Sequence, residues 1–269
     1  MRVAVIQLAY DDAELVADRV ARVADLVRAQ AGADLVLLPE LWAPTGFGYK
    51  TWDERAEALD GPTATAMAAA ARDAEVLLHA GSIVERLDSP GPQGRLLSNT
   101  SLMFAPDGDL VAIYRKVHRF GFAVGEPELM EAGDELSLVE VSDGDESATF
   151  SLSTCYDLRF PEFYRAQLDA GATVFLVPAA WPMPRVEHWR LLGRARAIEN
   201  QCFLVAANTA GSHGGGVMGG HSQIVAPTGE VLAEAGGTEQ EVLTVDIDLS
   251  LVEQVREAFP VLADRRWEA

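Results

Sequence analysis

The sequence predicts an α/β protein with mixed β-sheets. In both halves of the chain, short apolar runs typical of buried strands alternate with segments whose apolar residues recur at helical spacing. Tight turns at 106–108 (Pro-Asp-Gly) and 227–229 (Pro-Thr-Gly) join other apolar runs, as in antiparallel hairpins. No linker of distinct composition divides the 269 residues, so we expect one domain over residues 1–259 and a tail over 260–269.

The first half contains two predicted helices among buried strands. The first helix, residues 11–30, has apolar residues at helical spacing, and Asp11 or Asp12 is placed to cap its start. The second is alanine-rich and begins at Pro62, a residue favoured in a first helical turn. The other elements of this half are strands within 2–9, 33–40, 76–85, 96–105, 107–118, 136–141 and 148–155.

The second half repeats this order. Its predicted elements are helices over 161–171, 185–200 and 248–259, and strands over 173–181, 202–208, 221–227, 230–236 and 241–248. The glycine-rich segment 211–220 lacks the lysine and hydroxyl residue of a phosphate-binding loop. We therefore interpret it as a mobile loop or a place of close packing.

The charge of the chain excludes several classes of partner. It has 41 acidic and 21 basic side chains, a net charge of −20, and its bases are arginines apart from Lys50 and Lys116. A protein that binds nucleic acid needs a basic face for phosphates, and docking on an anionic membrane needs the same. We expect neither partner, and no apolar run has the length of a membrane-spanning helix.

The chain has two cysteines, Cys155 and Cys202, too few for a disulfide framework. The N-terminus does not have the pattern of a signal peptide, so we expect a cytoplasmic protein. Cys202 lies inside an apolar strand and is interpreted as a small buried side chain.

Cys155 lies where a predicted strand gives way to a turn and a helix. This arrangement presents a side chain at the end of a sheet, where α/β proteins bind ligands. A thiolate there could attack an electrophilic carbon. Taken alone, however, a single cysteine is more often a small buried hydrophobic residue.

Glu40 and Lys116 also follow predicted strands. The Glu40 carboxylate could act as a general base, and the compact Lys116 ammonium could stabilise an oxyanion. Considered singly, Glu40 is more often an ordinary exposed turn residue, and composition alone does not decide whether Lys116 is a surface lysine.

Together, Glu40 in LLPE, Lys116 in YRKVH and Cys155 in CYDLRFPE resemble the Glu-Lys-Cys triad of the nitrilase superfamily, the carbon–nitrogen hydrolases. The order of the three residues is that of the family, and the resemblance extends over nearly the whole chain. It implies a four-layer α-β-β-α sandwich with two mixed β-sheets and the triad between its halves. It also implies a second glutamate, for which Glu126 is the best match and Glu128 the alternative.

The resemblance also suggests residues that bind substrate. The backbone N–H of Tyr156 would complete an oxyanion hole with Lys116. Arg159 would pair with an acid in the site or with an anionic substrate, or else form a structural ion pair. Trp181 resembles a segment that lines the pocket, and Tyr49 or Phe47 would line it too.

The implied reaction is hydrolysis of a carbon–nitrogen bond other than a peptide bond, through a cysteine thioester and with release of ammonia. The segment after Cys155 is similar to that of amidases acting on small ω-amides, although nitrile and N-carbamoyl hydrolysis use the same triad. No metal or other cofactor is expected, since the histidines lack metal-ligand spacing. Two alternatives remain from the residues alone, a cysteine hydrolase paired with His188 and a non-catalytic binding protein.

Members of the family commonly pair, with the C-terminal tail reaching the partner. Trp267 and two arginines in the tail of this acidic chain fit such a contact, although a frayed terminus would have the same sequence. We expect a homodimer or a higher homo-oligomer.

Overall fold

The computed structural model describes residues 1–143 and 146–267. In these residues two mixed β-sheets pack face to face, and helices cover both outer faces, which confirms the predicted four-layer α/β sandwich. The helices are α1 (Val16–Arg28), α2 (Pro62–Ala74), α3 (Glu126–Leu129), α4 (Pro161–Asp169), α5 (Val186–Asn200) and α6 (Leu251–Ala258). None of them is both long enough and apolar enough to cross a bilayer.

The strands agree closely with the predicted apolar runs. They are β1 (Arg2–Asp11), β2 (Leu35–Leu37), β3 (Leu77–Arg86), β4 (Leu97–Phe104), β5 (Leu110–Arg115), β6 (Met130–Glu131), β7 (Leu138–Asp143), β8 (Glu146–Leu152), β9 (Val174–Pro178), β10 (Phe203–Ala207), β11 (Thr209–His213), β12 (Gly216–Val217), β13 (Gln223–Val225), β14 (Val231–Glu234) and β15 (Glu241–Asp246).

The first sheet has the order β12-β11-β1-β2-β3-β4-β5, with β15 antiparallel to β1 and β6 parallel to β4. The second sheet has the order β14-β13-β10-β9-β8-β7. The strands β1, β2 and β3 are parallel, as are β8, β9 and β10, so within each set the carboxyl ends meet at one sheet edge.

Successive side chains along each strand point to opposite faces of the sheet, and this divides the core into layers. In β1, Val3 and Val5 face the second sheet, where they join Phe150 and Leu176 in the core between the sheets. The residues between them face α1 and α2 on the outer side of the first sheet. On the outer side of the second sheet, Trp189 and other residues of α4 and α5 cover the strands.

Some boundaries predicted from the sequence were wrong. The cap assigned to Asp11 or Asp12 does not form. Asp11 ends β1, and its carboxylate accepts N–H bonds from Ala13 and Glu14 in a turn before α1 begins. The predicted strand 33–40 is only β2, because Pro39 lacks the N–H that would continue the ladder.

The segment 211–220 is an antiparallel hairpin of β11 and β12 with Gly214 and Gly215 at its turn. Of the two predicted alternatives it fits close packing, because a Cβ on Gly214 would lie 2.3 Å from the carbonyl oxygen of Gly46. The tail predicted over 260–269 forms a 3₁₀ turn over Val261–Asp264, and Arg265 pairs with Asp169. Glu268 and Ala269 lie outside the described residues.

A bulge in β3 makes room for the chain that follows β2. The register of β3 against β4 shifts between His79 and Ser82, and Gly81 adopts a φ of 70°. A Cβ on Gly81 would lie 1.8 Å from the carbonyl oxygen of Pro39. The bulge also supplies Ser82, whose hydroxyl accepts the N–H of Leu41 at 3.0 Å. The two neighbours of Glu40, Pro39 and Leu41, therefore both pack against the bulge and fix its position. Only glycine at position 81 permits this backbone conformation.

We expect Gly81→Ala to destabilise the protein by about 3 kcal/mol or more, since it adds a steric clash to the left-handed backbone. Gly32→Ala is the matched control, because Gly32 has a φ of 92° and open space around it. The control should lose only about 1–2 kcal/mol. Urea denaturation measures both values, and equal losses would show that the approach to Pro39 is not tight.

Candidate active site

Glu40, Lys116, Glu126 and Cys155 come together in the interior of the protein. Glu40 follows β2, Lys116 follows β5 directly, and Cys155 begins a 3₁₀ turn (Cys155–Arg159) three residues after β8 ends. Glu126 is the first residue of α3. Each of the four is at least nine-tenths buried.

The Lys116 ammonium joins the two carboxylates. Its Nζ lies 2.7 Å from Oε1 of Glu40 and 2.9 Å from Oε2 of Glu126. Asn99, in β4, donates to the same two groups, at 2.8 Å to Glu40 and 2.6 Å to Glu126. The result is a buried cluster with two negative charges, one positive charge and an amide that orients both acids.

Burial acts on the pKa of Lys116 and of Glu126 in the direction that favours their neutral forms. For Lys116 this effect is outweighed by the charges of Glu126, Glu40 and Cys155, and its pKa is held well above its usual range. For Glu126, burial raises the pKa, Lys116 opposes the increase, and Glu40 adds to it. The ammonium is therefore permanently charged at neutral pH.

Cys155 has a strained backbone, with a φ of 51°. The strain is held by a capping box in which Thr154 and Asp157 bond to each other's backbone N–H. Burial raises the pKa of the Cys155 thiol well above its usual range. The Glu40 carboxylate adds to the increase, while Lys116 and the N–H of Ala180 oppose it. The resting group is a thiol that needs a base before it can attack.

Asp157 connects this turn to the segment that carries Lys116. Its fully buried carboxylate accepts the hydroxyl of Tyr114 at 2.7 Å and the N–H of His118 at 3.0 Å, besides the N–H of Thr154 at 2.7 Å. Because Tyr114 and His118 flank Lys116, one carboxylate fixes the thiol and the ammonium relative to each other.

The cluster opens into two adjoining pockets. The inner pocket is walled by aromatic side chains, among them Tyr49 and Phe120, with Glu40, Lys116 and Cys155 at its base. Burial, followed by the charges of Glu126 and Glu40, raises the pKa of Tyr49 to about 12, so its hydroxyl is a donor at neutral pH.

The outer pocket carries two arginines. It is lined by Tyr156, Arg159, Trp181 and Arg185, and it shares Cys155 with the inner pocket. The Arg159 guanidinium lies 4.5 Å from the ring centre of Trp181, and the indole N–H of Trp181 donates to the carbonyl of Cys155 at 3.3 Å. Thus every site residue predicted from the sequence lies in the cluster or lines one of the two pockets.

Glu126, not Glu128, lies in the cluster. Glu128 is exposed and faces Arg95 at 3.6 Å. Lys50 is exposed as well. Sequence reasoning missed three residues, Asn99, Asp157 and Arg185.

Among the residues that the structure describes, no histidine bonds to the Cys155 thiol. His188 is exposed and its Nδ1 lies 3.2 Å from a guanidinium nitrogen of Arg159, while His118 bonds to Asp157. The groups that act on the charge of Cys155 are Glu40, Lys116 and the Ala180 N–H. Across residues 1–143 and 146–267, no three or more His, Cys, Asp or Glu side chains are grouped as a metal site requires.

Comparison with known proteins identifies the family. Residues 2–257 match the carbon-nitrogen hydrolases. The chain belongs to the carbon–nitrogen hydrolase family. It is an enzyme of the amidase branch of the nitrilase superfamily and acts on carbon–nitrogen bonds other than peptide bonds, as the resemblance implied.

The hydrolase is similar to a 2-oxoglutaramate amidase of Paenarthrobacter nicotinovorans, at 45% identity over 99% of this chain and 91% of the relative. It is 34% identical to the omega-amidase NIT2 of Homo sapiens, over 98% and 95% of the two chains.

Solved structures agree with these relatives. A CN-hydrolase superfamily protein of Xanthomonas campestris, with an arsenic adduct in its active site, superposes with a TM-score of 0.86 at 30% identity over 100% and 98% of the two chains. A mutant amidase of Nesterenkonia sp. AN1, with the acetamide moiety of fluoroacetamide added to its active-site cysteine, has a TM-score of 0.79 at 29% identity over 98% and 96%.

Removing the central cation should destabilise the hydrolase strongly. At pH 7.5 we expect Lys116→Met to cost about 3–5 kcal/mol, because two buried carboxylates lose their partner. Lys50→Met, the control at the exposed lysine, should change stability by no more than about 0.5 kcal/mol. Urea denaturation of both variants measures the difference.

The loss should also depend on pH. Without the ammonium, Lys116 no longer opposes the increase that burial and the Glu40 charge cause, so the pKa of Glu126 in the folded variant lies above the unfolded value of about 4.3. The folded variant then binds more protons than the unfolded chain, so its stability falls as pH rises through that range. The loss should be smaller at pH 4.5 than at pH 7.5, and a larger loss at pH 4.5 would contradict this account.

Proposed function

We propose that this hydrolase is an amidase that removes ammonia from the terminal amide of a small ω-amide of a 2-oxo acid, through a thioester on Cys155. The observation that carries the proposal is the buried thiol beside the Glu40–Lys116 ion pair, next to a pocket that holds two arginines. Two of its relatives are a 2-oxoglutaramate amidase and an omega-amidase, which supports the same reaction.

In the first step, Glu40 takes the proton of the Cys155 thiol while the sulfur attacks the amide carbon. A base is needed since burial keeps the pKa of the thiol high. The oxyanion that forms is stabilised by the Lys116 ammonium and by the backbone N–H of Tyr156. Within the described residues this N–H donates to no protein acceptor, so it is free to bind the oxyanion.

The tetrahedral intermediate then loses its nitrogen. Glu40, now protonated, gives the proton to the leaving group, and ammonia departs as the carbon–nitrogen bond breaks. A water molecule then attacks the thioester while Glu40 takes its proton. Collapse of the second intermediate releases the carboxylic acid, and the sulfur recovers the proton from Glu40.

Glu126 acts through Lys116 and the substrate. Its carboxylate holds the ammonium at 2.9 Å and is itself fixed by the backbone N–H of Phe120. The ammonium is thereby kept at a fixed point beside Cys155, and a preorganised charge stabilises an oxyanion better than a mobile one. We assign Glu126 the further task of accepting a hydrogen bond from the substrate amide nitrogen.

The substrate's other end lies in the outer pocket. Arg159 follows Cys155 by four residues in the same 3₁₀ turn, which places it about 8 Å farther along the turn axis at a rise of ~2 Å per residue. Its planar fork suits a carboxylate, and stacking on Trp181 holds the guanidinium in place. Tyr49 and Trp181 line the path between the two ends.

The thiol can be tested against a matched cysteine. We expect Cys155→Ala to lower ammonia release from ω-amides by about 10³-fold or more with folding retained. The other site residues act with the thiol as a unit, so they cannot sustain the reaction without it. Cys202→Ala should keep near-normal turnover, since Cys202 lies in the core away from the cluster. Acid quenching followed by mass spectrometry should find the acyl group on Cys155.

The same assay separates this function from others. Ammonia release from nitriles or N-carbamoyl compounds, with none from ω-amides, would reject the proposed substrate class. Normal turnover by Cys155→Ala would reject the thioester route. Folding of each variant is followed by circular dichroism.

We also propose a cytoplasmic homodimer or higher oligomer, with one domain over residues 1–259 and the tail over 260–269 at the subunit contact. Exposed apolar side chains at this end of the chain support it, with Phe259 68% and Trp267 89% exposed. Sedimentation velocity should give at least twice the monomer mass of 28.9 kDa. A monomer at micromolar concentration would contradict the proposal.

A further inference from the structure

The outer pocket holds more positive charge than one carboxylate requires. Arg159 is the last residue of the 3₁₀ turn that begins at Cys155, and Arg185 directly precedes α5. Both are half-buried side chains in a protein with a net charge of −20. Two cations in one small cavity repel each other, so their placement calls for an explanation by what the cavity binds.

Neither arginine has an acidic partner in the part of the chain that the structure describes. Arg159 lies on Trp181 and contacts Nδ1 of His188, and Arg185 lies 5.4 Å from the ring centre of Phe120. Aromatic faces hold both guanidinium groups while leaving most of their N–H donors available. The described wall of the pocket contains no Asp or Glu.

We propose that Arg185 is a specificity-determining residue that selects ω-amides of 2-oxo acids and rejects those of 2-amino acids. This inference rests on the proposed function. With the carboxylate on Arg159, Arg185 is the second positively charged donor in the same pocket, for the substituent on the neighbouring carbon.

The two substituents differ in the chemistry that Arg185 can offer. A 2-oxo group presents an oxygen that only accepts hydrogen bonds, which matches a guanidinium that only donates. A 2-ammonium group carries donors and a positive charge, and would meet two guanidinium groups with no carboxylate to offset them. Repulsion of the wrong substrate is as effective a source of specificity as attraction of the right one.

The experiment compares kcat/KM for 2-oxoglutaramate, glutamine and glutaramate, which share a carbon skeleton and differ only at carbon 2. In the wild type we expect the order 2-oxoglutaramate, glutaramate, glutamine. Arg185→Gln should lower the value for 2-oxoglutaramate about 10- to 100-fold, mainly through KM, as expected for a lost charged hydrogen bond. The value for glutamine should stay unchanged or rise.

Three further variants serve as controls. Arg185→Lys keeps the charge and should retain the discrimination against glutamine. Arg159→Gln should lower kcat/KM for all three substrates together, since all three carry the carboxylate. Arg72→Gln removes one exposed positive charge from α2, far from the pocket, and should change nothing.

The inference is overturned if the ratio of 2-oxoglutaramate to glutamine stays within about twofold of wild type in Arg185→Gln. In that case a wild-type preference for 2-oxoglutaramate would still leave the proposed function standing. A wild type that hydrolyses no ω-amide overturns both. Thermal unfolding of each variant separates a loss of folding from a loss of selection.

Discussion

The buried ion pair of Lys116 with Glu40 and Glu126 is the interaction on which the rest of the site depends. Three charges removed from water are costly unless each is paired and hydrogen-bonded. Here the ammonium contacts both acids within 3 Å, and Asn99 donates to both. Because each partner comes from a different segment, the cluster forms only when the ends of β2 and β5, the start of β4 and the start of α3 are in place.

The fold meets this requirement with a few local departures from regular structure. Gly81 allows the bulge in β3 that receives the Pro39 carbonyl, and so sets the position of Glu40. Asp157 joins the Cys155 turn to Tyr114 and His118, on either side of Lys116. The strained φ of Cys155 persists because this buried network holds it. Stability and chemistry are therefore supported by the same contacts.

These connections explain what the sequence could and could not predict. The alternation of apolar runs with helical segments predicted an α/β fold and most of the strands, and the resemblance to the nitrilase superfamily implied the four layers. Strand ends together with the CYDLRFPE segment predicted the position of Cys155. Asn99 was missed because a polar residue inside a strand has no local pattern that reveals its partners. Asp157 was missed because two of its partners, Tyr114 in β5 and His118 just beyond that strand, are distant in the sequence. The cap assigned to Asp11 or Asp12 was wrong, since the side chain of Asp11 bonds to its own turn first.

The choice between lysine and arginine follows the same physical logic in both pockets. An ammonium is compact, so one nitrogen can lie within 3 Å of two carboxylates and still face the carbon under attack. A guanidinium is larger and planar, and its paired donors suit a carboxylate or an oxygen held at a fixed angle. In the proposed reaction, lysine therefore lies where charge develops, and arginine lies where an existing charge is recognised. A chain with nineteen arginines and two lysines has kept one lysine at the position that arginine could not fill.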